Sequence, residues 1–182
     1  MLELIEDSLG RLLDDAAPAP GHGAGLRAEA DAGGDIEASA ESNARSLIED
    51  LHEAGMLDVL AIDAEGEMPL AWRDAARLFM LIGTKAPDAP VADAILARAL
   101  LGAAVDSLPP FTVLATQSAG LTIAQATDGA RISGTLDGVP WGEDADAAVA
   151  CVGGHAAGAS RHRVALLARS AASEMRSRGT GV

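Results

Sequence analysis

The sequence predicts an α+β fold, an N-terminal helical bundle followed by a small antiparallel β-barrel or sandwich domain. Three observations carry that expectation. Apolar residues recur at helical spacing up to Pro109-Pro110, and at strand-like spacing after it. Downstream runs are short and separated by Gly, Asp or Ser turns, and Asp128-Gly129 between two of them is a hairpin signal. Helices followed by strands, without alternation, argue for α+β architecture or two subdomains. The expected division is a helical domain over 1–108, a β-domain over 109–170 and a disordered tail over 171–182.

The first helix is marked by Leu2, Ile5, Leu9, Leu12 and Leu13, with acids on its other face. It should end before Pro18, because the residue ahead of proline resists helical ψ. Residues 18–35 are rich in Gly, Pro and Ala without a period, and a flexible linker is expected over 18–40. A second helix should run from about Ser42, as N-cap, to Ala54, with Leu47, Ile48 and Leu51 inward and Gly55 as its stop. An apolar stretch then turns at Glu65-Gly66. Helix three is expected over Pro69–Ile82, proline suiting a first turn, with Trp72 and Phe79 in the core. After a proline-bracketed loop, Val91–Val105 is apolar on nearly every face and should be central to the bundle. Expected strands are Phe111–Thr116, Leu121–Thr127, Arg131–Leu136, Asp146–Val152 and His162–Ala168.

Composition bounds the chemistry. The chain has 182 residues, enough to bury a core, and apolar residues make up 49% while aromatics are 2%. Ala and Gly must therefore do much of the filling. The 13 basic residues against 27 acidic ones leave a net charge of −14, which repels nucleic acid and anionic membranes. The start of the chain is acidic, unlike a signal peptide, and Asp93 and Arg98 interrupt the longest apolar run, so a soluble, cytoplasmic protein is expected. Cys151 is the lone cysteine, and its setting reads as a buried strand thiol. His22, His52, His155 and His162 are scattered without metal-ligand spacing. Gly153-Gly154 and Gly158 do not fit a dinucleotide fingerprint. Glu143, Asp144 and Asp146 read as a solvated acidic corner.

The most informative stretch is Gly134–Val152, with Gly134-Thr135 closing one β-rich segment, a Val-Pro-Trp-Gly corner, and Ala145-Asp146 leading into an apolar run. Together with Leu51–Leu60 and the Leu114–Gly120 strand and loop, it resembles the helical and middle β-domains of acyl-CoA dehydrogenases. The resemblance is moderate over 111–152 and weak elsewhere. It implies a fold that binds FAD and, in complete enzymes, removes hydrogens from Cα and Cβ of an acyl-CoA thioester. On that resemblance Thr116 and Trp141 are the candidate cofactor-binding residues. Trp141 stands one step from a corner where the family has flavin-contacting Trp and Thr, and where this chain has Gly138, Val139 and Pro140. Gln117 follows Thr116 where the family has Glu, and no catalytic base can be assigned. The family's C-terminal helical domain has no counterpart here, so the resemblance implies a homo- or hetero-oligomer with a dehydrogenase-like subunit. The alternative is a non-catalytic assembly or binding module, or a truncated relic, that has lost FAD. Trp141 also reads as a structural corner anchor.

Overall fold

The computed structural model describes residues 2–16, 33–63, 65–102, 108–115, 121–126, 129–136, 139, 141–156 and 159–168. Among the described residues the architecture is α+β, with four α-helices preceding five strands: α1 (Leu2–Asp15), α2 (Gly33–Glu53), α3 (Trp72–Lys85), α4 (Val91–Leu101), β1 (Thr112–Ala115), β2 (Thr122–Ala126), β3 (Gly129–Ser133), β4 (Ala147–Ala156) and β5 (Ala159–Ala168).

Each helix buries the stripe its spacing marks. Ile5, Leu9 and Leu13 are inward on α1, Ala44, Leu47, Ile48 and Leu51 on α2, and Ala75, Leu78 and Ile82 on α3. Arg77 donates to Glu6 at 2.8 Å and Lys85 to Asp14 at 2.5 Å. Both pairs are separated by 71 positions, so α1 and α3 run parallel with residue n of one level with residue n + 71 of the other. Helix α4 buries Val91, Ala94, Ile95, Ala97 and Arg98, as expected of a central helix. It ends at Leu101, where Gly102 leaves helical geometry with φ of +52°, and residues 103–105 of the expected helix lie outside the described residues.

Three other expectations change. Helix α2 begins at Gly33, nine residues before the expected Ser42 N-cap, so residues 33–40 are helical and not linker. The tract holds Ile36, Glu37, Ala38, Ala40 and Glu41, which continue a helical ladder once it has started. Helix α3 starts at Trp72 and not Pro69, and Trp72 is 52% exposed and not in the core. It is the first residue of the helix, at its exposed end, whereas Phe79 is half-buried against the core. The turn at Glu65-Gly66 is as expected: Gly66 has φ of +87° and donates to the Asp63 carbonyl.

The β region is mixed. One three-stranded sheet has the order β1-β4-β5, and β2 pairs with β3 as a separate hairpin. Strand β1 pairs with β4 in parallel, Thr112↔Ala147 to Ala115↔Ala150, which corrects the expectation of a purely antiparallel arrangement. The long connection from Ala115 to Ala147, with the hairpin inside it, gives the chain the length to return in the same direction. Strands β4 and β5 pair over ten residues, Ala147↔Ala168 to Ala156↔Ala159. Both outrun their expected bounds because Gly153, Gly154 and His155, which read locally as loop, are held by partners across the ladder. The hairpin signal is answered by β2 and β3, which close at Ala126↔Gly129, so Gly129 itself is a strand residue. Strand β3 ends at Ser133, and Leu136 packs half-buried against Ala115, Leu121 and Ala150.

One apolar cluster runs from the helices into the sheet, uniting Ile5, Leu9, Ile48, Leu51, Leu78 and Ile95 with Phe111, Val113 and Ala145. No helix of the described residues is long and apolar enough to cross a membrane. The tail over 171–182 and the linker residues 18–32 lie outside the described residues.

Candidate functional site: the corner between α2 and the sheet

The corner preceding β4 is built by a tight turn. The carbonyl of Trp141 accepts from the N–H groups of Asp144 at 3.1 Å and Ala145 at 2.9 Å, and Gly142 N–H donates to the Val139 carbonyl at 3.2 Å. Trp141 holds φ of +57°, a left-handed conformation uncommon for a bulky residue. Glycine suits position 142: a Cβ there would lie 3.2 Å from the Val139 carbonyl oxygen and 3.3 Å from its Cβ, contacts that Val139 would have to relieve by a few tenths of an ångström. The turn delivers Ala145 into the core and Asp146 to the surface of the sheet, where Asp146 N–H donates to the Phe111 carbonyl at 2.8 Å.

Arg45 of α2 closes the corner. Its Nη1 donates to Asp146 Oδ2 at 3.0 Å, and its Nη2 donates to Asp146 Oδ1 at 3.2 Å and to the Asp144 carbonyl at 2.6 Å. The guanidinium carbon also stands 5.1 Å from the Phe111 ring centroid. Phe111 in turn meets Trp141 at 6.5 Å between centroids, with planes tilted by 47°. The hydrogen bond to Asp146 raises the Arg45 pKa against the opposing effect of desolvation, with the charges of Asp146, Glu49 and Asp144 adding to it. This cation is a fixed clamp and not a proton donor. The acidic corner is thus partly spent on an ion pair, where the sequence reads it as solvated.

A second ion pair lies under the bundle. Arg98 of α4, only 2% exposed, donates through Nε to Asp58 Oδ1 at 2.5 Å and through Nη2 to Oδ2 at 3.3 Å. Its Nη1, like Nδ1 of His52, is buried without a partner among the described residues. No group of three or more His, Cys, Asp and Glu able to hold a metal ion occurs among the described residues.

Of the two candidate cofactor-binding residues, only Trp141 is described; Thr116 lies outside the described residues, as do Gln117, Gly138 and Pro140. Trp141 is half-buried against the core. The described corner fits a flavin as one wall at most. It offers a half-buried indole, while the guanidinium of Arg45 is committed to Asp146 and the Asp144 carbonyl. Arg45 was not singled out in the sequence. Its one local signal is a basic residue flanking an apolar stripe in an otherwise acidic helix, and nothing in that pattern names a partner 101 positions away. No protein-family model, no curated protein and no solved structure matches this chain.

Proposed function

We infer that this chain is an acyl-CoA dehydrogenase-like subunit that works with a partner chain in the cytoplasm. The observation that carries the reading is the locked corner. Ala145-Asp146, part of the resemblance, sits where the helical layer meets the sheet, and Arg45 holds it there. A corner held on a rigid joint is a suitable support for a cofactor face. In this reading Trp141 and Thr116 contribute one side of an FAD site, and the partner supplies the remaining flavin contacts. The partner would also supply a carboxylate to accept the α proton of the acyl-CoA, and FAD, when bound, would supply the hydride-accepting chemistry. The reading also carries a closed barrel or sandwich around the β1-β4-β5 sheet and the β2-β3 hairpin.

A non-catalytic assembly module is favoured by one specific observation, the packing of Trp141 on Phe111, which gives the indole a structural role with or without flavin. The two readings separate by spectroscopy. The purified chain, and the chain captured with its co-purifying partners, are incubated with excess FAD, desalted and scanned in the visible. Retained flavin bands in the captured complex support the subunit reading. A complex that retains no flavin leaves the assembly module as the function.

A further inference from the structure

The three-stranded sheet ends on β5, a ten-residue edge strand. We propose that two copies of this chain join antiparallel along β5, about a two-fold axis perpendicular to the sheet, with Ala165 of one copy opposite Ala165 of the other. Among the described residues β5 pairs only with β4, so its other edge offers a row of unpaired N–H and C=O groups. The strand contains no Pro, Gly, Asp or Glu. Such an edge is a template for another strand wherever charge or proline does not blunt it. Arg161 and Arg163 blunt its first half, and residues 164–168 carry no charge.

Register selects the pairing. One row of residues crosses the sheet from Leu114 to Val149 to Leu166. Leu114 is half-buried and Val149 fully buried, but Leu166, where the row reaches the edge, is 37% exposed. Pairing about Ala165 continues this row, because Leu166 of each copy falls opposite Val164 of the other. The next row, Val113–Ala148–Leu167, continues onto Arg163 of the other copy. Antiparallel pairing sets the two copies' Arg163 residues toward opposite ends of the contact, so like charges do not face each other. Both halves are equivalent, as an isologous contact requires. The same edge answers the charge. A chain of net charge −14 repels its copy, so contact is least opposed where acids are missing. Asp146 and Glu174 bracket the longest run of this sequence without an acidic residue, and β4 and β5 both lie within it.

The area sets the strength. Pairing about Ala165 aligns residues 162–168 of each copy, a stretch roughly 23 Å long, and a sheet about 10 Å thick then covers about 250 Å² per copy. That lies well below a standard interface of about 800 Å² per partner. Main-chain hydrogen bonds supply the attraction, as in other strand additions, and the dimer is a reversible one with Kd on the order of 100 µM.

Sedimentation velocity on the full chain from about 1 to about 500 µM tests this, together with residue-resolved amide exchange at both ends of that range. The expected results are a concentration-dependent shift from monomer to dimer and slower exchange at alternate residues of 162–168 in the concentrated sample. Alternation is the signature, because every second N–H of an edge strand points away from its one partner. Leu166→Lys should weaken association at least tenfold, since it sets a charge in the apolar row of each copy. Met80→Glu, an exposed position on α3, should leave association unchanged. A chain that stays monomeric throughout, a dimer without the alternate slowing in β5, or a dimer weakened by Met80→Glu and not by Leu166→Lys overturns the proposal. The exchange pattern of the wild type decides the matter even where Leu166→Lys fails to fold. None of these results depends on whether flavin binds, and the contact stands apart from the reading of the corner.

Discussion

Arg45 and Asp146 are 101 residues apart and meet through two hydrogen bonds of 3.0 and 3.2 Å, the bidentate geometry that suits guanidinium to carboxylate. Each side chain retains 38% of its exposure, so solvent screens the pair and its Coulombic share is modest. What the pair adds is position. It ties the last turn before β4 to α2, and the same guanidinium binds the Asp144 carbonyl and covers Phe111.

Arg45→Ala therefore loses an ion pair, a carbonyl hydrogen bond and a cation–π contact together. A loss of about 1–2 kcal/mol is expected, or roughly 3–6 °C in Tm for a chain of this size. Arg45→Lys should recover less than half, because an ammonium cannot reproduce the fork. Thermal unfolding followed by circular dichroism reads both, and equal melting of the Lys and wild-type chains would show that the fork geometry contributes nothing.

The Arg98–Asp58 pair should behave differently because Arg98 is buried. Asp58→Ala strands a buried cation whose Nη1 already lacks a partner among the described residues, and should cost about 3–5 kcal/mol. Replacing the pair with Asp58→Ala and Arg98→Met removes the charge as well as its partner. The double variant should be more stable than Asp58→Ala alone by at least about 1 kcal/mol in urea unfolding. A double variant less stable than the single one would assign Arg98 a packing role beyond its charge.

Trp141→Ala should loosen the corner. The indole packs on Phe111 and on the core, so its loss should cost about 2–3 kcal/mol, and Trp141→Gly should cost less than Trp141→Ala. The difference arises because φ of +57° suits glycine better than alanine. Identical melting temperatures for Trp141→Ala and the wild type would show the indole to be no anchor. A related gain is expected at Ala86, which ends α3 in left-handed geometry with φ of +44°. Ala86→Gly should raise stability by about 0.5–1 kcal/mol.

Asp93 gives a pH signature. Burial pushes its carboxyl above the usual carboxylate range. A raised folded pKa means that stability from this group is fully present below the unfolded value, about 3.9, and is lost as pH rises through the folded value. Asp93→Asn should thus melt close to the wild type near pH 3.5 and above it by about 2 °C at pH 7, since part of the penalty is screened by solvent. A gap that shrinks as pH rises would reverse the sign of the effect.

The sequence by itself determined the local elements. Leu2, Ile5, Leu9 and Leu13 mark α1 because side chains three and four apart share one face of a helix, whatever surrounds it. Pro109-Pro110 marks the change from helices to strands, and Asp128-Gly129 marks a hairpin, because those residues restrict their own backbone. The Val-Pro-Trp-Gly run marks a corner between two apolar runs, and Trp141 stands in the turn before β4. Contacts between distant residues were not legible. The start of α2 at Gly33 and the tenth paired residue of β4 depend on packing and on a partner strand, neither of which leaves a mark on the segment itself. The parallel pairing of β1 with β4, the 71-position register of α1 and α3, and the choice of Asp146 by Arg45 were decided only when the chain closed. Each joins groups whose separation along the chain carries no periodicity, so local propensity could name the participants but not their partners.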